Sequence, residues 1–416
     1  MARKEYLPLL FLFCLGLTGP QLYSQDREGL VTGLEMRGYR RTKPHIARQP
    51  LEAFIGREAA SLDMLEVQGV ILGMGVFDLV SEELVPAAEG YTLVVEVAEK
   101  WSIFPVPMLM ASSGELSFGL FFLDTNAFGI RDTMVAGGLF SSSGWNGIAM
   151  YNHSPMRAGL PGLSGSVTYG RRQREDLDKY ETVHRRYSTS HLGLSFGLRY
   201  PFTRALSGSF SLSYRDIALI ENEEPLLEPQ EGARLLRFSP GLGLRRSSWD
   251  GYFLSEQSLS FSYTYNLALE GSSYQDFYIR GNIEQPLLPG LRLIARSGGV
   301  YKTGTEADGA LLFEEGPSRS GVDILPRRFS AHQYVGFSAG LEQYLYRFSM
   351  GTLSLQASWQ LVLSEGPLSG RQLDHGPAGA LRFYLARLAL PALGGGLAYN
   401  MNSGLFQFSL DFGMEL

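Results

Sequence analysis

The chain has 416 residues, with 36 basic and 42 acidic side chains and a formal charge of −6. Charged residues make up 19% of it and glycine fills 49 positions, against roughly 25% charged and ~7% glycine in an ordinary soluble protein. The acidity excludes the basic stripe of a nucleic-acid binder, one cysteine excludes a disulfide framework or multi-cysteine zinc site, and six scattered histidines offer no helical metal pair.

Arg3 and Lys4 precede the apolar run Leu7 to Leu17, and a more polar stretch follows from Thr18 to Gln25. A basic end, an apolar core and a polar tail are the layout of a secretory signal peptide. Residues 1–24 are therefore expected to be removed, with cleavage near Ser24. The run is shorter than the ~20 residues of a spanning helix, and Phe13 before Cys14 argues against a lipid attachment site. Without the peptide no cysteine remains, which suits an oxidising compartment. No later segment is apolar enough for a transmembrane helix, so any membrane span must be built from strands.

Residues 25–100 read as a small α/β domain. Leu30 to Met36 is strand-like, and Arg37-Gly38-Tyr39 turns the chain. Pro44 opens a helical pattern through Ile46, Leu51, Phe54 and Ile55, and Ser61 is placed to cap a second helix carrying Leu62 to Leu72. Gly73-Met74-Gly75 stops that helix. Val76 to Leu84 and Tyr91 to Val97 form a strand pair across a turn with Pro86 and Gly90.

From Trp101 onward the pattern has period two. Phe406, Phe408, Leu410, Phe412, Met414 and Leu416 alternate with Gln407, Ser409, Asp411, Gly413 and Glu415. Such a strand is half buried in something apolar. The alternation recurs through about sixteen segments, centred near residues 105, 119, 136, 148, 166, 194, 211, 240, 262, 280, 295, 339, 357, 383, 397 and 410. Their second face carries small polar residues in place of charges, as in a wall around a wet interior. Long polar gaps near 172–187, 216–233, 303–332 and 364–377 each follow an odd-numbered segment. An outer-membrane barrel with an even strand count has long outside loops and short inner turns in that parity.

The N-terminal stretch resembles a POTRA domain, the periplasmic module of the BamA/TamA outer-membrane assembly superfamily. The matching residues are Gly38 with Arg41-Thr42, then Gly75-x-Phe77-x-x-Val80, then Val95-x-Val97-x-Glu99-Lys100-Trp101 running into Ile103-Phe104-Pro105-Val106-Pro107. Gly38, Gly75, Phe77 and Val80 are expected in the turns and core of the module. Its exposed strand edges are suited to accepting an extended segment by β-augmentation.

Within the longest gap, Pro326-Arg327-Arg328-Phe329 precedes Gly336, Gly340 and Glu342-Gln343-Tyr344. The same superfamily carries an Arg-Gly-aromatic tip in its sixth outside loop, folded into the lumen. The resemblance maps Arg327 to the loop arginine and Phe329 to its aromatic. Arg328 departs from the usual glycine, which puts the tip's conformation in question. A guanidinium inside a barrel needs a carboxylate, and parity offers Glu342 first and Asp411 second. Arg280-Gly281-Asn282 is a decoy inside a strand.

The expected architecture is mainly β: a 16-stranded antiparallel transmembrane barrel over 101–416, preceded by one POTRA domain over 25–100. The resemblance implies an outer-membrane protein, not an enzyme and with no cofactor, that assists insertion or translocation of client proteins. Its partners would be outer-membrane lipid, unfolded clients and periplasmic proteins docking on the POTRA domain, which would lie in the periplasm with the long loops at the cell surface. Pro105 and Pro107 remove two ladder donors from the first strand, weakening a lateral seam against Phe408 and Leu410. Few hydrogen bonds are expected between 103–110 and 406–416. The second reading is a passive channel or transporter whose module serves only for docking. A lipase centre built on His153, His184, His191, His332 or His375 has no distinctive serine partner, and Gly162-Leu163-Ser164-Gly165 lacks the full nucleophile spacing.

Overall fold

The computed structural model describes residues 29–112, 115–153, 160–203, 205–226, 232–249, 254–303, 321–326, 329, 331, 333–348, 351–366, 370–385 and 391–412. The expected signal peptide, Arg327 and Arg328 lie outside the described residues. Two compact units meet in sequence at Lys100 and Trp101.

The first unit contains strand β1 (Val31–Arg37), helix α1 (Pro44–Arg48), 3-10 turns at Gln49–Phe54 and Ala59–Ser61, helix α2 (Met64–Gly73), and strands β2 (Phe77–Ala87) and β3 (Gly90–Glu99). Strand β3 is central, parallel to β1 and antiparallel to β2. Pro44 starts α1, but Pro50 cannot donate to its ladder, so the expected longer helix tightens into a 3-10 turn. The cap of α2 is Asp63, whose side chain accepts from Leu65 N at 2.9 Å. Ser61 lies instead in the preceding 3-10 turn.

Leu51, Phe54, Val67, Ile71, Phe77, Leu93 and Val95 close a core between the helices and the sheet. Gly38 sits at φ +92°, and a Cβ there would lie 1.9 Å from the Val97 carbonyl oxygen. Gly75, at φ +75°, follows α2 in the left-handed position that commonly ends a helix. Phe77 is fully buried. Val80 is not in the core: it is 60% exposed. The β2–β3 register shifts between Leu79 and Ser81, so Val80 is the extra residue of a bulge, and the alternation breaks there.

The second unit is a closed barrel. Its wall begins with β4 (Ile103–Ser112), β5 (Glu115–Ala127), β6 (Asp132–Ser141), β7 (Gly144–His153), β8 (Gly162–Leu177), β9 (Val183–Pro201), β10 (Leu206–Leu226) and β11 (Ala233–Trp249). It continues with β12 (Leu254–Ala268), β13 (Tyr274–Leu288), β14 (Leu291–Thr303), β15 (Gln333–Arg347), β16 (Gly351–Gly366), β17 (Gly370–Leu385), β18 (Pro391–Asn400) and β19 (Leu405–Phe412). Each strand pairs antiparallel with the next, and β19 closes on β4. Every expected segment centre falls within one of these sixteen strands.

Three of the four polar gaps are corrected by the structure. Strand β8 runs to Leu177 and β9 resumes at Val183, β10 runs to Leu226, and β16 and β17 reach Gly366 and Gly370. Their charged residues pair across the ladder instead of marking loops. Arg185 meets Asp176 at 2.6 Å and Arg186 meets Glu175 at 2.8 Å, and such opposed charges favour a strand pair. The wall is therefore uneven: β9 and β10 have 19 and 21 residues, whereas β6 has 10.

Alternation sorts the two faces. Phe406 is 63% exposed on the outer face while Gln407 is 7% exposed on the inner one. Leu242, paired with Phe261, points outward, and the flanking Gly241–Ser262 and Gly243–Ser260 pairs point inward. Exposed apolar side chains such as Leu242, Phe261, Phe337, Leu355, Leu397 and Phe406 recur on this face strand after strand, and extended apolar surface of this kind marks a face made for contact with lipid or protein. Among the described residues no helix is long and apolar enough to cross a membrane.

Candidate functional site

Residues 321–326, 329 and 331 lie against the inner side of the wall. Val322, Ile324, Leu325, Phe329 and Ala331 are buried against Val300, Tyr334, Val362 and Ala398, with Tyr278 and Ala378 at the margin. The wall contacts come from six consecutive strands, β13 to β18. Gln360 on β16 fixes it, accepting from Asp323 N at 2.6 Å and donating to Asp323 Oδ2 at 3.4 Å. Phe329 N donates to Pro326 O at 2.9 Å, which turns the chain, and Phe329 bridges to Leu177 at the end of β8.

Glu342 faces the lumen and has no exposed surface. Arg327, its expected partner, lies outside the described residues. Arg292, directly opposite on β14, donates to Glu342 Oε2 from Nη2 at 2.7 Å and from Nε at 3.0 Å. Ser354 donates to Oε1, as does the Tyr384 hydroxyl at 2.8 Å. Arg292 also reaches Glu284 Oε2 at 2.8 Å and the Tyr384 oxygen at 3.2 Å, and Arg296 lies 3.5 Å from Glu284. Each acceptor is satisfied, as a buried ion pair requires, and removing one member of such a pair typically costs about 3–5 kcal/mol.

Sequence reasoning missed Arg292, Glu284 and Tyr384. The signal that finds them is register: the Leu288–Leu291 turn sets β13 against β14, and β14 pairs Arg292 with Glu342. Asp411 occupies a lumen-facing register position opposite Gly394 on β18 and Met110 on β4; its side chain lies outside the described set.

The closing seam is bounded on both sides by residues outside the described set. Strand β19 meets β4 through Ser409–Ser112, Leu410–Ala111, Asp411–Met110 and Phe412–Leu109. On its other side β19 pairs with β18 over eight positions, and β4 pairs with β5 over ten. Leu410 lies in the seam. Phe408 is in register with Leu397 of β18, whereas Pro105 and Pro107 are in register with Phe122 and Leu120 of β5. Extending the seam register would set Pro107 opposite residue 414 and Pro105 opposite residue 416, both outside the described residues.

His153 Nδ1 lies 2.8 Å from Asp132, which also accepts from Tyr151. This cluster ties the ends of β6 and β7 together, and no serine joins it among the described hydrogen bonds. Among the described residues no group of His, Cys, Asp and Glu is arranged to hold a metal ion.

No family model and no curated protein matches the chain. Solved structures do. BamA from Haemophilus ducreyi lacking POTRA domains 1–3 is 14% identical with a TM-score of 0.69, over 93% of this chain and 84% of that one. The barrel has the BamA-type fold. CdiB from Acinetobacter baumannii (11% identical, TM-score 0.63) and CdiB from Escherichia coli (13% identical, TM-score 0.63) also match over 93% of this chain, covering 74% and 77% of theirs. The closed 16-strand wall is thus consistent with the BamA/TamA-type resemblance read from the residues.

Proposed function

We propose that this chain is an outer-membrane β-barrel of BamA/TamA type that assists insertion or translocation of client proteins, with residues 25–100 acting as its POTRA domain in the periplasm. The observation that carries this reading is the closed 16-strand wall with an apolar outer face, against whose inner side the described residues between β14 and β15 pack. The apolar outer belt supports burial in lipid, and only closed barrels or helices satisfy their backbone there. The packing of those residues against the inner wall supports this reading over a permanently open channel. The edge strand β2 of the N-terminal sheet, which pairs only with β3, offers its other side to an extended partner.

Depletion of the protein followed by quantitative outer-membrane proteomics tests the proposal. Broad loss of other barrels, or selective loss of one secreted class, is expected. An unchanged outer-membrane proteome together with a large steady conductance in planar bilayers would favour the passive channel.

A further inference from the structure

The tip of the β8–β9 hairpin reaches a distant part of the barrel wall. Lys179 Nζ lies 3.7 Å from Oδ1 of Asp374 on β17, and Gln407 Nε2 on β19 donates to Glu181 Oε1 at 2.9 Å. Four strands, β4 to β7, separate β8 from β19 in the sheet. These contacts therefore cross the mouth and do not follow the ladder.

The tip is a stiff element. Asp178 Oδ1 accepts from Tyr180 N at 2.8 Å and Thr182 N at 3.0 Å, while its Oδ2 lies 3.1 Å from His184 Nε2. Glu181 is held at φ +64°, a conformation L residues rarely adopt. Behind the tip the Arg185–Asp176 pair is buried between the two strands.

The receiving side is built to need it. Asp374 has no exposed surface, and it accepts from Asn400 Nδ2 at 3.3 Å. Its Oδ2 has no hydrogen-bond partner among the described residues. A carboxylate buried in this way depends on a nearby cation, and Lys179 is the cation the structure places there. Gln407 is buried on the strand that carries the seam, two residues before Ser409. The same hairpin touches the lumen segment through the Leu177–Phe329 bridge.

We propose that the β8–β9 tip is a latch. Lys179 and Glu181 hold β17 and β19 from the outer end, so that the seam and the lumen segment are released only when the tip disengages. The latch presupposes a barrel that opens, as the proposed function does, but its contacts and its first test do not require client activity.

The test uses the full chain with Cys14→Ser and a reporter, Ser409→Cys, on the lumen-facing register of β19. The purified protein in detergent is treated with a water-soluble maleimide. Lys179→Met, Asp374→Asn and Glu181→Ala are each expected to raise the labelling rate roughly tenfold, as loss of one charge-assisted contact from the closed state would. Lys179→Met combined with Asp374→Asn should label no faster than the faster single variant, because both remove one contact. Lys179→Arg should stay near the parent rate. Equal rates in all variants, or effects of Lys179→Met and Asp374→Asn that multiply, would overturn the latch. Glu181→Ala lies at an exposed turn and keeps the test open if a wall variant does not fold. Planar-bilayer recordings of the same proteins should show more frequent openings in the labelling-prone variants. If the parent never enters a bilayer, the membrane reading fails, and the detergent assay still decides the latch.

Discussion

Glu99, the last residue of β3, is joined to Thr42 twice: its Oε1 accepts from the Thr42 amide at 2.7 Å and from the Thr42 hydroxyl at 2.5 Å. Its Oε2 accepts from the amides of Arg40 and Arg41 at 2.6 and 2.7 Å. Burial pushes this carboxyl up, but the Thr42 hydroxyl and the amides of Arg41, Arg40 and Thr42 together pull it further down, below the ordinary carboxylate value. A folded-state pKa below the unfolded one gives stability that is present above the unfolded pKa. That stability is lost as pH falls through the folded pKa. Amide exchange at residues 40–42 in the full chain should therefore accelerate below the usual carboxylate range. Glu99→Gln should accelerate it at neutral pH and flatten the dependence, at a cost of about 1 kcal/mol given the partial exposure. Exchange at those amides that ignores the substitution would contradict this account.

The two glycines flanking the helical region should respond unequally. Gly38→Ala meets the Val97 carbonyl as well as the left-handed backbone, and about 2–3 kcal/mol or more is expected. Gly75 has open space around the added carbon, so Gly75→Ala should cost only about 1–2 kcal/mol. Phe77→Ala should cost about 3–5 kcal/mol, while Val80→Ser on the bulge should stay within about 0.5 kcal/mol. Hydrogen exchange of the β3 amides ranks the four.

Arg292→Met and Glu342→Gln should each lower the temperature at which the folded barrel loses its fast electrophoretic migration. Each leaves buried partners unmatched, at about 3–5 kcal/mol. The double variant should be less destabilised than the sum, because the two residues form one network with Tyr384 and Ser354. Strict additivity would mean the pair is not coupled.

Phe329→Ala should loosen the lumen segment, since the ring is buried among Val300, Tyr334 and Val362. Larger and more frequent conductance events are expected relative to the parent protein. A conductance trace indistinguishable from the parent would show that residues 321–331 do not obstruct the lumen.

Cysteines at Ala111 and Leu410, directly opposite in the seam, should oxidise to a disulfide in a Cys14→Ser background. If the seam admits client strands, the oxidised protein fails to support barrel assembly, and reduction restores it. Full activity with the bond closed would exclude a lateral route.

The barrel was legible because an apolar outer face and a polar inner one impose a period of two. Phe406 and Gln407 differ in burial for that reason. What the pattern hid was strand height. The run from Arg171 to Arg186 reads as a loop by charge, yet most of it is paired strand, since Arg185–Asp176 and Arg186–Glu175 satisfy the charges across the ladder. Val80 was misplaced because a bulge shifts parity without any sequence mark. Arg292 was missed because its importance comes from the residue opposite it and not from its neighbours in the chain. Glu342, by contrast, was found, since parity alone places it inside.

The unequal wall has a consequence for any bilayer around it. At ~3.3 Å per residue and a tilt near 40°, the 10-residue strand β6 rises only about 25 Å. Strands β9 and β10 rise about twice that. Were the outer face buried in lipid, a bilayer of uniform thickness could not match both flanks, and acyl chains would compress beside the short side.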